Sequence, residues 1–142
     1  MNMKKVIILI LFSILLVGCK VEKLNYNEKV EILENNKFHF QEEQTDNQTL
    51  VMLNSILMAT AATDGKLIYV KVKRIVSYYN EETTETVIFV EFSKNRQAKK
   101  ILPYIESKNI ISDDMYVVSY GKYIILTDNI KNFDLLGLVY NK

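Results

Sequence analysis

An apolar run from Val6 to Val17 constrains this chain most, because it decides which residues are available to fold. Lys4 and Lys5 precede the run, and about a dozen apolar residues are too few for a helix across a hydrocarbon core, which needs roughly 20. A basic start followed by a short apolar stretch is typical of a secretory signal peptide. The sequence therefore predicts that this N-terminal segment is cleaved and takes no part in the fold.

The run ends in Leu16-Val17-Gly18-Cys19, which resembles the lipobox of bacterial lipoproteins. The resemblance covers the first 19 residues and is specific. It implies that the Cys19 thiol is diacylated, that the chain is cut just before Cys19, and that this cysteine becomes the N-terminus. The mature protein would then be held by lipid on the extracytoplasmic side of the cell membrane, as part of the cell envelope.

Cleavage would leave 124 of the 142 residues, which we divide into a tether at residues 19–28 and one domain at residues 29–142. Removing Lys4 and Lys5 lowers the Lys and Arg count from 18 to 16 against 17 Asp and Glu, so the formal charge changes from +1 to −1. A nearly neutral chain has no overall basic field for nucleic acid. Cys19 is the single cysteine, so no disulfide, thiolate metal site or cysteine nucleophile is expected.

The first part of the domain is predicted to be a hairpin over Lys29 to Gln41. A three-residue loop from Glu34 to Asn36 is favoured over a two-residue Asn35-Asn36 loop, because it pairs Ile32 with Phe38 and leaves Asn36 for the left-handed position.

The clearest helix begins at Asp46 or Asn47, which can cap it, and ends at Asp64-Gly65. Its apolar side chains recur at steps of three and four, at Leu50, Leu53, Leu57 and Ala61.

Two long strands are predicted next, joined by a turn at Asn80 to Thr83. The first, Lys66 to Tyr79, alternates between an apolar face with Ile68, Val70, Val72 and Val76 and a polar face with Tyr69, Lys71, Lys73 and Tyr79. The second, Thr84 to Phe92, has a Val87-Ile88-Phe89-Val90 centre that implies cover on both faces of the sheet.

The remaining chain predicts a helix, a hairpin and a short helix. Ser93 or Asn95 caps the first helix, which continues through Ala98, Ile101, Leu102 and Ile105, and Pro103 should kink it or end it early. Gly121-Lys122 suits a type II′ turn between Met115–Tyr120 and Tyr123–Thr127. Thr127-Asp128-Asn129 caps the last helix, through Ile130, Phe133, Leu136 and Val139. The predicted class is α+β: a small, mainly antiparallel sheet with two or three helices.

From Thr84 onward the chain also resembles a group of uncharacterised small bacterial lipoproteins. The likeness consists of the apolar strand Val87-Ile88-Phe89-Val90 leading into a helix, and of a valine-rich strand that reaches Gly121-Lys122-Tyr123 before a final helix. It covers under half of the chain and implies no activity.

Residues suited to catalysis are few. His39 is the single histidine and is expected to be a partly exposed structural residue, so neither a zinc site nor a triad is predicted. The carboxylate pairs that two-acid glycoside hydrolysis would need are expected to be solvated turn acids, and Asp128 a helix cap. These pairs are Glu42-Glu43, Glu81-Glu82, Glu85 with Glu91, and Asp113-Asp114. No catalytic residue, metal or cofactor is predicted.

Two features suggest a binding surface. A basic face could meet anionic lipid headgroups or wall polymers, unless it is an ordinary solvated face; it consists of Lys71, Lys73, Arg74, Lys99 and Lys100, with Lys94 and Arg96 nearby. Tyrosines predicted on strands could stack on sugars or dock a protein, although packing explains them equally well; these are Tyr69, Tyr78, Tyr79, Tyr116, Tyr120 and Tyr123.

The sequence thus favours a lipid-anchored, non-enzymatic envelope protein that binds another protein or an anionic wall polymer. Two alternatives stay open: a carboxylate-dependent cell-wall hydrolase, and an immunity or exclusion lipoprotein. Two acids gathered in one cleft would favour the hydrolase.

Overall fold

The computed structural model describes residues 23–107 and 110–140, which form a five-stranded sheet and four helices. The predicted signal peptide, the lipobox and Cys19 lie outside the described residues. In chain order the elements are α1 (Tyr26–Asn35), β1 (His39–Gln44), α2 (Asn47–Ala62), β2 (Val72–Asn80), β3 (Glu85–Phe92), α3 (Gln97–Ser107), β4 (Tyr116–Tyr120), β5 (Tyr123–Thr127) and α4 (Lys131–Leu135).

All neighbouring strands of the sheet are antiparallel, in the order β1-β2-β3-β5-β4. The α+β class is therefore confirmed. Two of the three predicted hairpins form: β2 and β3 pair from Asn80 and Glu85 outward, and Tyr120 pairs with Tyr123 across the two-residue turn. Gly121 has φ 58, the left-handed value that the first position of such a turn requires.

Helices cover both faces of the sheet and give the domain two hydrophobic clusters. On one face, Leu33 of α1 and Phe133 of α4 pack with Val87 and Phe89 of β3. On the other face, the buried side chains come from α2, α3 and the sheet, among them Leu57, Ala61, Ile101, Phe92 and Ile124. The prediction that the centre of β3 is covered on both sides is confirmed.

The predicted hairpin over Lys29 to Gln41 is wrong, because its first half is helix α1. The Asn25 side chain accepts the Glu28 N–H at 3.4 Å and caps this helix. Tyr26, Val30 and Leu33 then recur at the four- and three-residue steps that put them on one face, toward the core. Helix α1 also shows that the folded domain begins before residue 29, inside the predicted tether.

Helix α2 is confirmed at its predicted position. The Asp46 carboxylate accepts the Thr49 N–H at 2.8 Å and caps it. Beyond its last turn, Gly65 takes φ 71, as a glycine after a helix commonly does. Leu50, Leu57 and Ala61 are buried against the sheet and α3.

Strand β2 begins at Val72, not Lys66. A β-bulge near its start changes which side chains lie on each face of the sheet. Val72 pairs with Phe92 and Arg74 with Glu91, so Lys73 is an extra residue without a partner on β3. A one-residue shift reverses which side chains face each way. Val72 therefore packs with α2 and α3, while Val76 packs in the other cluster, and their predicted common face is wrong.

The last two helices lie where the sequence predicts them. Pro103 lies inside α3 and does not end it, since the helix continues to Ser107. Proline has no N–H to donate to the Lys99 carbonyl, and both residues are exposed, so the missing hydrogen bond lies on the solvent-facing side of the helix. Helix α4 is shorter than predicted because Gly137, at φ 65, turns the chain after Leu136. Together with α1, the described residues 23–107 and 110–140 form four helices, where two or three were predicted.

Candidate functional site

Glu91 is a buried carboxylate at the end of β3, with only 6% of its surface exposed. Its Oε2 atom accepts a hydrogen bond from Arg74 Nε at 2.6 Å, and its Oε1 atom accepts one from Lys122 Nζ at 2.5 Å. The Lys73 bulge places Arg74 directly opposite Glu91, and the β4–β5 turn brings Lys122 to the same end of the sheet. Two cations thus compensate one buried anion.

Arg74 has further partners on the α1 side of the sheet. Its Nη1 atom donates to Glu43 Oε1 at 3.0 Å, and its guanidinium lies 4.7 Å from the centre of the Tyr26 ring. The Tyr26 ring stacks on Tyr123 at a centroid distance of 5.8 Å. The predicted basic face therefore loses Arg74, which is bound to two carboxylates on the face opposite α3.

The pKa shifts in this network keep Glu91 and Lys122 charged and Tyr26 neutral. Burial raises the pKa of Glu91, but the hydrogen bonds from Lys122 and Arg74 outweigh it and hold the pKa below its ordinary value. The hydrogen bond to Glu91 raises the pKa of Lys122. Burial, with a 3.0 Å hydrogen bond to Tyr78, raises the pKa of Tyr26. A general acid or base needs a pKa near the working pH, so this network suits structure rather than proton transfer.

A cleft of about 510 Å³ adjoins this network at the same end of the sheet. Its walls come from the start of the described chain, from the segment after β3 and from the β4–β5 turn. The lining residues are Lys23, Leu24, Ser93, Lys94, Asn95, Gly121, Lys122 and Tyr123. Three of them are lysines and none is acidic.

Two of the three cleft lysines are not neutralised. Lys122 is balanced by Glu91, but within the described residues neither Lys23 nor Lys94 has a carboxylate at ion-pairing distance. Ser93 and Asn95 add hydrogen-bonding groups to the same walls. The cleft can therefore attract an anion and orient its oxygens.

The other predicted basic residues are exposed and lie in two parts of the chain. Lys71 immediately precedes β2, Lys73 is the second residue of that strand, and Lys99 and Lys100 lie on α3. Two hydrogen bonds hold the chain between β3 and α3 against the chain before β2. Gln97 Nε2, at the start of α3, donates to the Tyr69 carbonyl at 3.3 Å, and the Ser93 N–H, just after β3, donates to the Lys71 carbonyl at 2.8 Å. Lys71 thus lies beside Ser93, which lines the cleft.

Most of the predicted carboxylates have structural partners. Glu82 pairs with Lys37 at 2.7 Å, and Glu85 accepts hydrogen bonds from Asn129 and Asn132. Asp128 does not cap α4, because its two oxygens accept the Thr86 N–H at 3.0 and 3.1 Å. The expectation of solvated turn acids is wrong for Glu91, which is buried in a strand.

A second cleft, of about 180 Å³, has two acids in its lining. Glu106 follows Ile105 near the end of α3, and Asp113 lies in the loop before β4; both residues are exposed. Sequence reasoning did not pair them, because they come from different predicted segments.

His39 and the tyrosines form no site together. His39 is exposed on β1, opposite Tyr79. Tyr78 and Tyr123 are buried in the core, and Tyr116 packs edge-on against Tyr140. Tyr69 is the exception among the six predicted strand tyrosines, with 68% of its surface exposed. Within the described residues, no group of three or more His, Cys, Asp or Glu side chains is placed to hold a metal ion.

Comparison with protein-family models, with curated proteins and with solved structures found no match. Among the helices in residues 23–107 and 110–140, none has the length and apolarity needed to cross a membrane.

Proposed function

We propose that this protein is a lipid-anchored, non-enzymatic binding module of the bacterial cell envelope, and that its ligand is an anionic wall polymer. The cationic cleft is the observation that carries the proposal. Among the described residues, Lys23 and Lys94 have no carboxylate at ion-pairing distance, and no acidic residue lines the cleft.

The dimensions and chemistry of the cleft agree with such a ligand. Clefts of roughly 300 to 1,000 Å³ hold small molecules or short polymer segments. Glu91 is occupied by Arg74 and Lys122, so it does not repel an anion as a free carboxylate would. The ammonium groups of Lys23 and Lys94 supply attraction, and the polar groups of Ser93 and Asn95 supply orientation.

Binding of purified, phosphate-bearing wall polymer to the isolated protein tests the proposal. Reversing both free cleft charges, with Lys23→Glu and Lys94→Glu, should weaken binding by at least about tenfold, since each exposed lysine near an anionic surface contributes about 1 kcal/mol. Raising the salt concentration should weaken wild-type binding.

Lys131→Glu is the matched control for this experiment. Lys131 is exposed and begins α4, close to residues that contact Glu85 at the far end of β3 from Glu91. The control should bind like the wild type. Equal binding by the double variant and the control would exclude the cleft as the site.

The second cleft favours one alternative, a carboxylate-dependent wall hydrolase that uses Glu106 and Asp113. Such an enzyme would release soluble fragments from purified cell wall, and Glu106→Gln or Asp113→Asn would abolish that release. Absence of release by the wild type would remove this alternative.

A further inference from the structure

The chain between α2 and β2 exposes two large side chains that a solvated surface does not normally leave uncovered. From Lys66 to Lys71 the chain forms neither helix nor strand, yet its side chains alternate. Val70 is buried and Ile68 half-buried, whereas Leu67 is 99% exposed and Tyr69 is 68% exposed. We call Lys66–Lys73 the Leu67 segment.

The backbone of the Leu67 segment is held in place, so fraying does not explain the exposure. The Lys66 N–H donates to the Ala61 carbonyl at 3.2 Å. Gln97 and Ser93 donate to the Tyr69 and Lys71 carbonyls, as described above. Val70 is part of the cluster beneath α2 and α3. Leu67 and Tyr69 are therefore presented outward from a fixed frame.

The charged residues within the Leu67 segment are all lysines, and the nearest acid before it in the sequence is Asp64. Lys66, Lys71 and Lys73 are exposed, and the sequence has no Asp or Glu between Gly65 and Asn80. An aliphatic and an aromatic side chain among lysines is the composition that suits a membrane interface, where tyrosine occupies the headgroup level and lysine meets lipid phosphates.

The neighbouring helix places no charge against such an interface. Val72 N–H donates to the Asn54 side chain at 2.7 Å, so the segment runs back along α2. None of the 16 residues of α2 is charged, and its outer face exposes Val51, Met52 and Ile56. Exposed apolar surface of this kind marks an interaction site.

We propose that the Leu67 segment docks on a membrane that contains anionic lipids, with Leu67 and Tyr69 inserted among the headgroups and Lys66, Lys71 and Lys73 at the lipid phosphates. The occupant follows from charge complementarity, because an uncharged apolar partner would leave three lysines without anions. The proposal does not depend on the ligand of the cleft.

The chain contains no tryptophan, so one introduced tryptophan reports its own surroundings. We would express the full chain with Leu67→Trp in a bacterium and reconstitute it into phosphatidylglycerol and phosphatidylcholine vesicles with brominated acyl chains. Emission should shift to shorter wavelength and be quenched by bromine. Phe40→Trp is the control: Phe40 is 58% exposed and packs on Tyr78, in the cluster on the opposite face of the sheet. Its emission should stay unquenched.

Three charge reversals in the Leu67→Trp chain, Lys66→Glu, Lys71→Glu and Lys73→Glu, test the role of the lysines. These reversals should abolish the quenching, because three lysines together favour the anionic surface on the order of 100-fold. Quenching of the Leu67→Trp chain without the reversals should likewise be lost in vesicles of pure phosphatidylcholine. Unfolding curves matching the wild type would show that the variants are folded. Quenching is the readout because an N-terminal lipid would keep every variant on the vesicles.

Two results would overturn the proposal. Leu67→Trp emission that bromine does not quench would show that the segment does not reach lipid. If that unquenched emission were still shifted to shorter wavelength, the segment would instead be covered by a protein partner or by a second copy of the chain. Quenching that persists after the charge reversals would show that anionic lipid does not determine docking.

Discussion

At the scale of single residues, Glu91 decides how β2, β3 and the β4–β5 turn fit together. A carboxylate that is only 6% exposed is costly unless its oxygens are satisfied. Arg74 and Lys122 satisfy both oxygens, and Arg74 is itself held by Glu43 and the Tyr26 ring. The network therefore links three strands, a turn and helix α1 through one buried charge.

Replacing this carboxylate by an amide, Glu91→Gln, should lower the free energy of unfolding by about 1 to 3 kcal/mol, because Lys122 loses its anion and Arg74 keeps only Glu43. Chemical denaturation measures the change. The control is Glu82→Gln, which breaks the exposed pair with Lys37 and should cost no more than about 0.5 kcal/mol. Equal effects of the two substitutions would mean that the Glu91 network adds nothing beyond a surface ion pair.

The same residue predicts a dependence on pH. The folded pKa of Glu91 is lowered, so its contribution to stability is complete above the unfolded pKa of about 4.3 and is lost as the pH falls through the lower folded pKa. Between about pH 5 and pH 3, the free energy of unfolding should fall less steeply for Glu91→Gln than for the wild type. Some slope should remain, because hydrogen bonds from the Thr49 N–H and from Ser112 also lower the pKa values of Asp46 and Asp114.

At the scale of elements, prediction succeeds where caps and periodicity agree. Helix α2 has an aspartate cap, a regular apolar spacing and a terminal glycine, and it forms as predicted. Helix α1 is missed because Asn35-Asn36 resembles a turn, although the Asn25-x-x-Glu28 spacing is a helix-start signal. The structure places Lys37, not Asn36, at positive φ after this helix.

The bulge at Lys73 shows a different limit of prediction from sequence. A pattern of alternating side chains cannot reveal one extra residue, yet that residue moves Arg74 and Val76 to the other face. The cleft is harder still to predict, because Lys23, Lys94 and Lys122 are far apart in the sequence and meet only when α1 and the hairpins are assembled. Lys94 lies near the predicted basic face in the sequence, but no sequence pattern groups it with Lys23 and Lys122.

The buried face of α2 gives a test of whether this helix belongs to the hydrophobic core. Leu57→Ala should lower the free energy of unfolding by about 2 to 5 kcal/mol, since Leu57 is buried between the sheet and α3. Met52→Ala on the outer face of the same helix, where the side chain is 63% exposed, should change it by less than about 0.5 kcal/mol. A loss for Leu57→Ala as small as that of the control would place α2 outside the core.

At the scale of the whole molecule, the cleft adjoins the Leu67 segment and lies a few residues along the chain from the proposed anchor at Cys19. Lys23 lines the cleft four residues after Cys19, a distance of at most about 14 Å along an extended chain. Ser93, also in the cleft wall, donates to the Lys71 carbonyl of the Leu67 segment. A lipid on Cys19 would therefore bring the cationic side of the domain close to the membrane, the orientation that docking of Leu67 and Tyr69 requires.

The anchor itself is tested by Cys19→Ser, which removes the only thiol in the chain. We expect the variant to stay uncleaved and to take up no labelled palmitate, because a serine hydroxyl does not replace the thiol that the lipobox resemblance implies as the acceptor. Two acyl chains anchor a protein stably, whereas one gives only marginal binding. Uptake of label and electrophoretic mobility are the measurements, since an uncleaved apolar run could also hold the variant in the membrane fraction. The neighbouring substitution Lys20→Ser leaves the motif intact and should be processed and labelled normally; identical labelling of both variants would show that Cys19 carries no lipid.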